Sequence, residues 1–294
     1  MGSDGARVRV PGSSANLGPG FDSFAAALDL HLELEVVKSG SFAIEVGELD
    51  VPATRDNLCV RAFESVGSAD ECSFTVRSEI PLAGGLGSSA AATVAGLLAA
   101  DRIFDLAMDH GEILRRAAEM EGHADNAAAS IHGGVVICDP AGDGSDPPVS
   151  LGIPEGVECI LVVPSSDRVP TSEAREALPD QVPLGEASGN IAAASTLALG
   201  IERSDPELIS RGLVDRLHQG RREHLYPKAL EIVSEARSLG ALGATVSGAG
   251  PSVLVWSEAG VIDQVLTALG QLIEGWGESS RVAFAASGAE TNTP

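Results

Sequence analysis

Leu30, Leu32, Leu34 and Val36 alternate with His31, Glu33 and Glu35. A period of two turns one side of a segment to a core and the other to water, so a half-buried strand is expected here. Ala6–Val10 reads as a short strand, and Phe42–Val46 and Phe74–Arg77 as weaker ones. Ser88–Phe104 is apolar, Ala-rich and free of Pro, the pattern of a buried helix. Gly111–Glu121 carries one apolar stripe and predicts an amphipathic helix, followed by a short helix over Asp125–Ile131 and a strand over Val135–Cys138.

The next stretch, Asp139–Pro148, is rich in Asp, Gly, Ser and Pro and is the best boundary candidate. It divides the chain into 1–154 and 155–294. Beyond it come a strand at Cys159–Val163 and a Pro-bounded segment, Pro170–Pro183. Helices are expected at Ala187–Leu199, Pro206–Leu217 and Pro227–Leu239. Strands Ala244–Ser247 and Val253–Trp256 flank Gly248-Ala-Gly-Pro251, and a helix at Val261–Ile273 and a strand at Val282–Ala285 close the chain. No repeat is visible. Strands and helices mix without strict βαβ alternation, which favours an α+β fold over a doubly wound sheet.

Composition narrows the function. The formal net charge of the 294 residues is −23, with 19 Lys+Arg against 42 Asp+Glu. The acidity spreads over both halves, so it is not a tail. It argues against a sequence-independent grip on nucleic acid, which needs a basic face, and against adhesion to anionic membranes. Lys is scarce (Lys38 and Lys228) and Arg carries the remaining positive charge. A salt-adapted host and a GC-rich genome both account for that bias. The aromatics are only 3%, so the core must be aliphatic. Cys59, Cys72, Cys138 and Cys159 show no metal or redox spacing and read as small buried hydrophobes in a reducing compartment. No basic-then-apolar leader is visible, and the longest near-apolar run, Ala90–Ala100, is too short to span a bilayer, so a cytoplasmic protein is expected.

Four segments and a set of arginines carry candidate chemistry. Pro81-Leu-Ala-Gly-Gly-Leu-Gly-Ser-Ser-Ala-Ala91 runs three glycines and two serines straight into a helix. Such a terminus has unpaired N–H groups and a dipole that favours an anion, so it suits a phosphate. A glycine turn with a Ser helix cap meets the same pattern. No Lys is present, which rules out the Walker loop. Gly85-Leu-Gly-Ser-Ser-Ala90 also satisfies the dinucleotide fingerprint, but Pro81 interrupts the strand that should precede it. Pro11–Asp22 is an irregular Gly/Ser/Pro loop between two strands that presents Asn16 and Asp22. Glu121-Gly-His-Ala-Asp-Asn126 brings two carboxylates, an imidazole and an amide within six residues. Zinc spacing is absent, whereas Glu121 with a nucleotide would suit Mg²⁺. Gly248–Gly250 is either a tight turn or a backbone cradle. Arg175, Arg221 and Arg222 could grip a carboxylate or simply pair with neighbouring acids.

Taken in order, these segments resemble the GHMP small-molecule kinases, with a pattern nearest the homoserine kinase family. The residues that carry it are Ser13-Ser-Ala-Asn-Leu-Gly-Pro-Gly-Phe-Asp22, Gly85-Leu-Gly-Ser-Ser-Ala-Ala91, Glu121-Gly-His-Ala-Asp-Asn126 with Gly133-Gly134, Val169-Pro-Thr-Ser-Glu-Ala-Arg175, Asp215-Arg-Leu-His-Gln219 and Ser247-Gly-Ala-Gly-Pro-Ser252. The resemblance implies an N-terminal domain like ribosomal protein S5 domain 2, a ferredoxin-like C-terminal domain, and an active site between them. It implies transfer of phosphate from MgATP to the side-chain hydroxyl of L-homoserine, in threonine biosynthesis. Homodimers are common among such kinases.

Carried over by residue, the resemblance assigns the ATP site to Pro81, Leu82, Ala83, Gly84, Gly85, Leu86, Gly87, Ser88, Ser89, Ala90 and Ala91, with Asn57 near the nucleoside. Ser89 and Glu121 would hold Mg²⁺. Asn16, Asp22, His123, Thr171, Arg175, Arg222, Gly248 and Gly250 would line the homoserine site, with Asp22 facing the ammonium and Arg175 and Arg222 the carboxylate. Asn126 would lie near the reacting hydroxyl, and Asp125 is the one carboxylate placed to act as a base, although direct transfer is favoured. Three departures stand out: Ala124 replaces the usual Pro after His, Asn126-Ala-Ala-Ala129 replaces an Asn-Val-Ala-Pro run, and Gln219-Gly-Arg-Arg222 leaves open which of Arg221 and Arg222 meets the carboxylate. A kinase of another small alcohol and an inactive protein of the same fold are the alternatives. Neither mevalonate nor shikimate carries an ammonium for Asp22.

Overall fold

The alternating segment becomes the centre of the first sheet. β1 (Gly5–Ala15) and β2 (Phe24–Lys38) pair antiparallel, with a register shift between Pro11 and Gly12. Leu32, Leu34 and Val36 are buried as the period predicts. β2 also pairs with β4 (Cys72–Ser78), which takes β3 (Ala43–Glu45) on its far side in parallel. The computed structural model describes residues 3–82, 84–140, 146–166 and 168–293.

Apolar helices cover this sheet. α2 (Ser88–Phe104) and α4 (Asp125–His132) lie against β1 and β2, with α1 (Leu58–Glu64) and α3 (His110–Glu121) packed on α2. Gly96 in α2 faces the Cys59 carbonyl and Ala62 of α1 so closely that a Cβ has no room, which explains an Ala/Gly-rich helix here. β5 (Val135–Ile137) pairs with the start of β2, and β6 (Val149–Leu151) pairs with β5. The turn-rich stretch before β6 lies partly outside the described residues.

β7 (Val157–Pro164) opens a second, antiparallel sheet. α5 (Thr171–Glu176), α6 (Leu184–Arg203), α7 (Pro206–Gly212) and α8 (Pro227–Glu235) precede the β8 (Gly243–Val246) and β9 (Val253–Glu258) hairpin, and α9 (Ile262–Leu272) leads to β10 (Gly277–Val282). The strand order β10-β7-β9-β8 is that of a ferredoxin-like βαββαβ unit. α8 and α9 bury Ile232, Val265 and Leu269 against Ile160, Val162, Val246 and Val255. The other face presents Leu161, Leu254 and Trp256 to the core of the first sheet, and Trp256 meets Phe284 at 5.3 Å between ring centroids. The chain then returns to the first sheet through β11 (Glu290–Asn292), which pairs with β1. The architecture is α+β, as expected.

Several expected elements are corrected. The last strand of the second sheet is not Val282–Ala285 but β10, an edge strand whose exposed Glu278, Ser280 and Arg281 leave no apolar pattern to read. Val282 and Ala285 are buried because the chain crosses back between the sheets there. α7 stops at Gly212 rather than Leu217, since Gly212 packs directly on the Leu197 backbone and Asp215 starts a turn. α8 stops at Glu235 rather than Leu239. α1, α5, β6 and β11 are too short to show a period.

What positions the site is a knot of buried serines and glycines where three loops meet. The Ser13 N–H donates to the Leu86 carbonyl (3.0 Å) and the Ser252 N–H to the Gly84 carbonyl (3.3 Å). The buried Ser247 hydroxyl donates to the Gly85 carbonyl at 2.7 Å and lies 2.8 Å from the Ser14 hydroxyl. The Gly248 N–H donates to the Ala15 carbonyl (3.1 Å), and the Asn16 amide returns a bond to the Gly248 carbonyl (2.9 Å). Gly85 sits at φ +77°, and a Cβ there would fall on the Ser247 carbonyl, with the Gly250 nitrogen 2.9 Å away. Gly85→Ala should therefore lower stability by at least about 1–2 kcal/mol from the dihedral alone, with a further loss from the clash. A thermal or urea melt checks this, and an unchanged melt would mean that the two loops are not in contact.

Candidate active site

The glycine–serine turn ends at the start of α2. Its N-cap is Gly87, in the left-handed conformation at φ 64°, ψ 21°, with no side chain bonded to the terminus. The Ser-cap alternative is therefore corrected. Gly85, Leu86, Gly87, Ser88, Ser89 and Ala90 instead line a cleft of about 470 Å³. The first turn of α2 holds no acidic residue, so its N–H groups and the positive end of its dipole open onto the cleft. Gly87 has no room for a side chain, because a Cβ would meet the Ser13 hydroxyl and the Asn126 amide oxygen.

The two elements that follow bring in the polar groups. α3 ends at Glu121, whose carboxylate accepts from Ser89 Oγ (2.5 Å) and from the buried Thr93 hydroxyl (2.8 Å), both on α2. Thr93 had no sequence signal of its own, and only the helix period from Ser89 could have marked it. At the start of α4, the Asp125 carboxylate accepts from its own helix at the Asn126 N–H (2.7 Å) and meets His123 Nδ1 at 2.9 Å. That contact raises the His123 pKa above its usual value. The Asn126 amide oxygen accepts from Ser13 Oγ at 2.8 Å, which leaves its NH₂ as the group available to the cleft.

Opposite lies a charged subsite. Asn16 and Asp22 both stand at positive φ (71° and 56°), and the Asn16 amide oxygen accepts from the Asp22 N–H at 2.9 Å. Asp22 receives a two-pronged bond from Arg175 of α5, at 3.0 and 2.9 Å. The hydrogen bonds to Asp22 raise the Arg175 guanidinium above its usual value. Arg222 is 2% exposed and donates to the Ala174 carbonyl at 2.7 Å. Burial lowers its pKa. Both guanidinium groups lie over the Phe21 ring, at 5.8 and 5.6 Å. Arg221 turns away to Glu186 on α6 (2.5 Å), so Arg222 is the one that faces the cleft.

The cleft thus gathers Asn16, Asp22, Glu121, His123, Asp125, Asn126, Thr171, Arg175, Arg222, Gly248 and Gly250 with the Gly85–Ala90 turn. Pro81, Leu82, Gly84 and Ala91 do not line it; Gly84 lies behind the turn against Ser252. Ala83 lies outside the described residues. Asn57 does not line the cleft either. Its amide caps α1, accepting from Cys59 N (3.0 Å) and donating to the Pro52 carbonyl (2.9 Å), and its neighbour Leu58 is the residue that reaches the cleft, beside Met120. His218 and Asn190 bind the loop that carries Asp22, and neither had been singled out for a role.

Comparison with known proteins matches this picture. The chain matches the GHMP kinases N terminal domain over residues 57–134 and the GHMP kinases C terminal domain over 197–274. The fold and the glycine turn define that class. It is 40% identical to the homoserine kinase of Thermus thermophilus over 272 residues, which cover 90% of each chain. It superimposes with a TM-score of 0.82 on a putative homoserine kinase from Listeria monocytogenes, at 32% identity over 98% of this chain and 100% of the other. A homoserine kinase from Cytophaga hutchinsonii gives 0.84 at 26% identity over 98% of both. The chain belongs to the homoserine kinase family of the GHMP kinases.

The His123–Asp125 pair gives a measurable consequence. Because its folded pKa lies above the ordinary 6.5, protonated His123 adds stability that is fully present below about pH 6.5 and fades as pH rises through the folded value. An NMR titration should place wild-type His123 above 6.5 and bring it down in Asp125→Asn. Equal values in the two proteins would show that Asp125 does not hold the ring.

Proposed function

We propose that this chain transfers the terminal phosphoryl group of ATP to the side-chain hydroxyl of L-homoserine, a step of threonine biosynthesis. The observation that carries the acceptor is the Asp22–Arg175 ion pair beside Arg222. A zwitterionic amino acid exchanges that one internal pair for two external ones, its ammonium on Asp22 and its carboxylate between the arginines. Arg suits the second contact because its planar fork meets a carboxylate with two bonds. An acceptor with a carboxylate and no ammonium would leave Asp22 stripped of its partner and uncompensated.

The α2 N-terminus and the Gly85–Gly87 turn cradle the triphosphate with backbone N–H groups. Phosphoryl transfer passes through a loose transition state, so positioning and charge stabilisation outweigh proton abstraction. Asn126 offers its amide NH₂ beside the reacting oxygens, with its amide oxygen tied down by Ser13. Asp125 steadies His123 and the first turn of α4, so we assign it a positioning role rather than that of a base. Thr171 and His123 close the side of the acceptor pocket.

Ser89 and Glu121 would hold Mg²⁺. They are hard oxygen donors 2.5 Å apart at the phosphate turn, and no cluster of three or more acidic, His or Cys ligands exists among the described residues. One carboxylate and one hydroxyl suit a small cation that takes its remaining ligands from phosphate oxygens and water. When bound, the ion would supply positive charge that offsets the charge of the triphosphate.

We place the protein in the cytoplasm. All four cysteines are free and buried, burial pushes the Cys59 and Cys138 thiols up to about 12, and no described helix is long and apolar enough to cross a membrane.

An ADP-release assay with MgATP and a panel of L-homoserine, L-serine, L-threonine, shikimate and mevalonate tests the reading. Turnover with homoserine should far exceed that with the others. Preference for mevalonate or shikimate would overturn the zwitterion pocket, and no turnover with any of them would overturn catalysis. Glu121→Gln should cut homoserine-dependent turnover roughly 100-fold or more with the melt unchanged, whereas near-normal turnover would remove Glu121 from the metal site.

A further inference from the structure

His218 is fully buried, yet it lies at no reacting position. It follows an Asp215 turn in which the aspartate side chain accepts from the Leu217, His218 and Gln219 N–H groups, at 2.9, 3.0 and 2.7 Å. Gln219 in turn accepts from the Val246 N–H (2.6 Å), which ties the segment to the strand leading into Ser247 and Gly248. The backbone under the imidazole is therefore fixed. The ring nitrogens make two hydrogen bonds, and the buried Asp215 carboxylate lies 3.8 Å from Nε2. Nε2 is 2.9 Å from the Gly18 carbonyl, on the loop that carries Asp22, and Nδ1 is 3.1 Å from an Arg222 Nη. Its face lies 5.2 Å from Phe21, the ring beneath both arginines.

These partners define the tautomer. A carbonyl only accepts, so Nε2 must carry the proton. A guanidinium only donates, so Nδ1 must be bare. We propose that His218 is a positioning residue for acceptor binding: as a neutral Nε2–H imidazole it locks Arg222 to the Gly18–Asp22 loop, so that the group that meets the carboxylate and the group that meets the ammonium move as one unit. The inference rests on the kinase reading above. Among the natural side chains, imidazole suits this task because it donates at one edge and accepts at the other across a rigid ring. A protonated ring would set N–H against N–H at Arg222, and the complete burial of His218 together with the Arg222 charge opposes protonation more than the nearby Asp215 and Asp22 carboxylates favour it. Asn190 supports the same loop from α6, donating to the Pro19 carbonyl at 2.7 Å and accepting from the Arg216 N–H at 3.0 Å.

Two near-isosteres separate the two edges. In His218→Gln the amide nitrogen reaches the Nε2 position and keeps the Gly18 bond, while the acceptor for Arg222 is lost. In His218→Asn an amide oxygen at the Nδ1 position keeps the acceptor and gives up Gly18. His218→Gln should raise the homoserine KM about 10- to 100-fold, the worth of a buried bond to a charged group, with the ATP KM within about twofold and a smaller loss in kcat. His218→Asn should raise the homoserine KM as well, because the Gly18 edge of the link is then lost. Unchanged homoserine KM in His218→Gln, or a parallel rise in both KM values that follows the melt, would overturn the proposal. Imidazole ¹⁵N shifts of the wild-type chain give a reading that needs neither folding of the variants nor turnover. A neutral Nε2–H ring at His218 is expected, and an Nδ1–H or charged ring overturns the proposal. If the chain shows no homoserine-dependent turnover, the kinase reading fails while the ¹⁵N result still decides the state of the ring.

Discussion

The packing of three backbone segments around the Ser247 hydroxyl is the constraint on which the rest of this molecule depends. Ser14 comes from the end of β1, Gly85 from the turn before α2, and Ser247 from the turn after β8, so one buried oxygen ties both sheets to the turn at α2. Backbones approach this closely only where side chains are short or missing. The Ser13, Ser14 and Ser247 hydroxyls thereby buried pair with neighbouring polar groups, since each unpaired one costs about 1–3 kcal/mol, and only the Ser252 hydroxyl of these four serines has no partner. The serines and glycines here are thus one solution to one packing problem. The consequence for chemistry is direct: with Gly85 and Gly87 held at positive φ, α2 starts with its N–H groups uncapped and facing the cleft.

Around that fixed point the protein solves an electrostatic problem. Its net charge is −23, yet both of its proposed substrates carry carboxylate or phosphate. Long-range attraction is therefore unavailable, and affinity must be local. Exposed charges more than about 10 Å away are screened at 0.1 M salt, while partly buried dipoles and guanidinium groups are not. The α2 N-terminus, Arg175 and Arg222 concentrate the favourable charge inside the cleft. Arg222 is a buried cation held by the Ala174 carbonyl and by His218, both of which accept without neutralising it. A carboxylate partner there would have compensated the charge and left less for a ligand.

Much of this was legible in the sequence. The alternation from Leu30 to Val36, the apolar run from Ser88 and the glycine–serine turn before it all rest on local physics, and each reappears where the pattern put it. Asn16, Asp22, Glu121, His123, Asn126, Arg175 and Arg222 meet in one cleft although they span more than 200 residues of chain, because the resemblance placed whole motifs rather than single residues. What the pattern left unread is of two kinds. β10 and β11 are edge strands with exposed side chains, and their pairing comes from backbone groups that leave no hydrophobic trace. Asn57 is an amide next to an apolar run, a pattern shared by helix caps and ligand contacts, and its cap role is visible only in the geometry of α1.

His218, Asn190 and Thr93 were missed for a third reason. They act on carbonyls or on other side chains at long sequence separation, and neither composition nor period encodes such partners. Their placement nevertheless follows one logic. The Asp22 loop projects from the first sheet, and every side chain that fixes its far side comes from the second half of the chain: Arg175 on its carboxylate, His218 on Gly18 and Asn190 on Pro19. Asn16 closes the same loop onto Gly248. The placement of the Asp22 loop against the arginines is therefore set by how the two sheets dock, not by either alone. On the proposed reading, a zwitterion bridging Asp22 and the arginines would measure that distance, so that positioning of the acceptor depends on the docking of the two sheets.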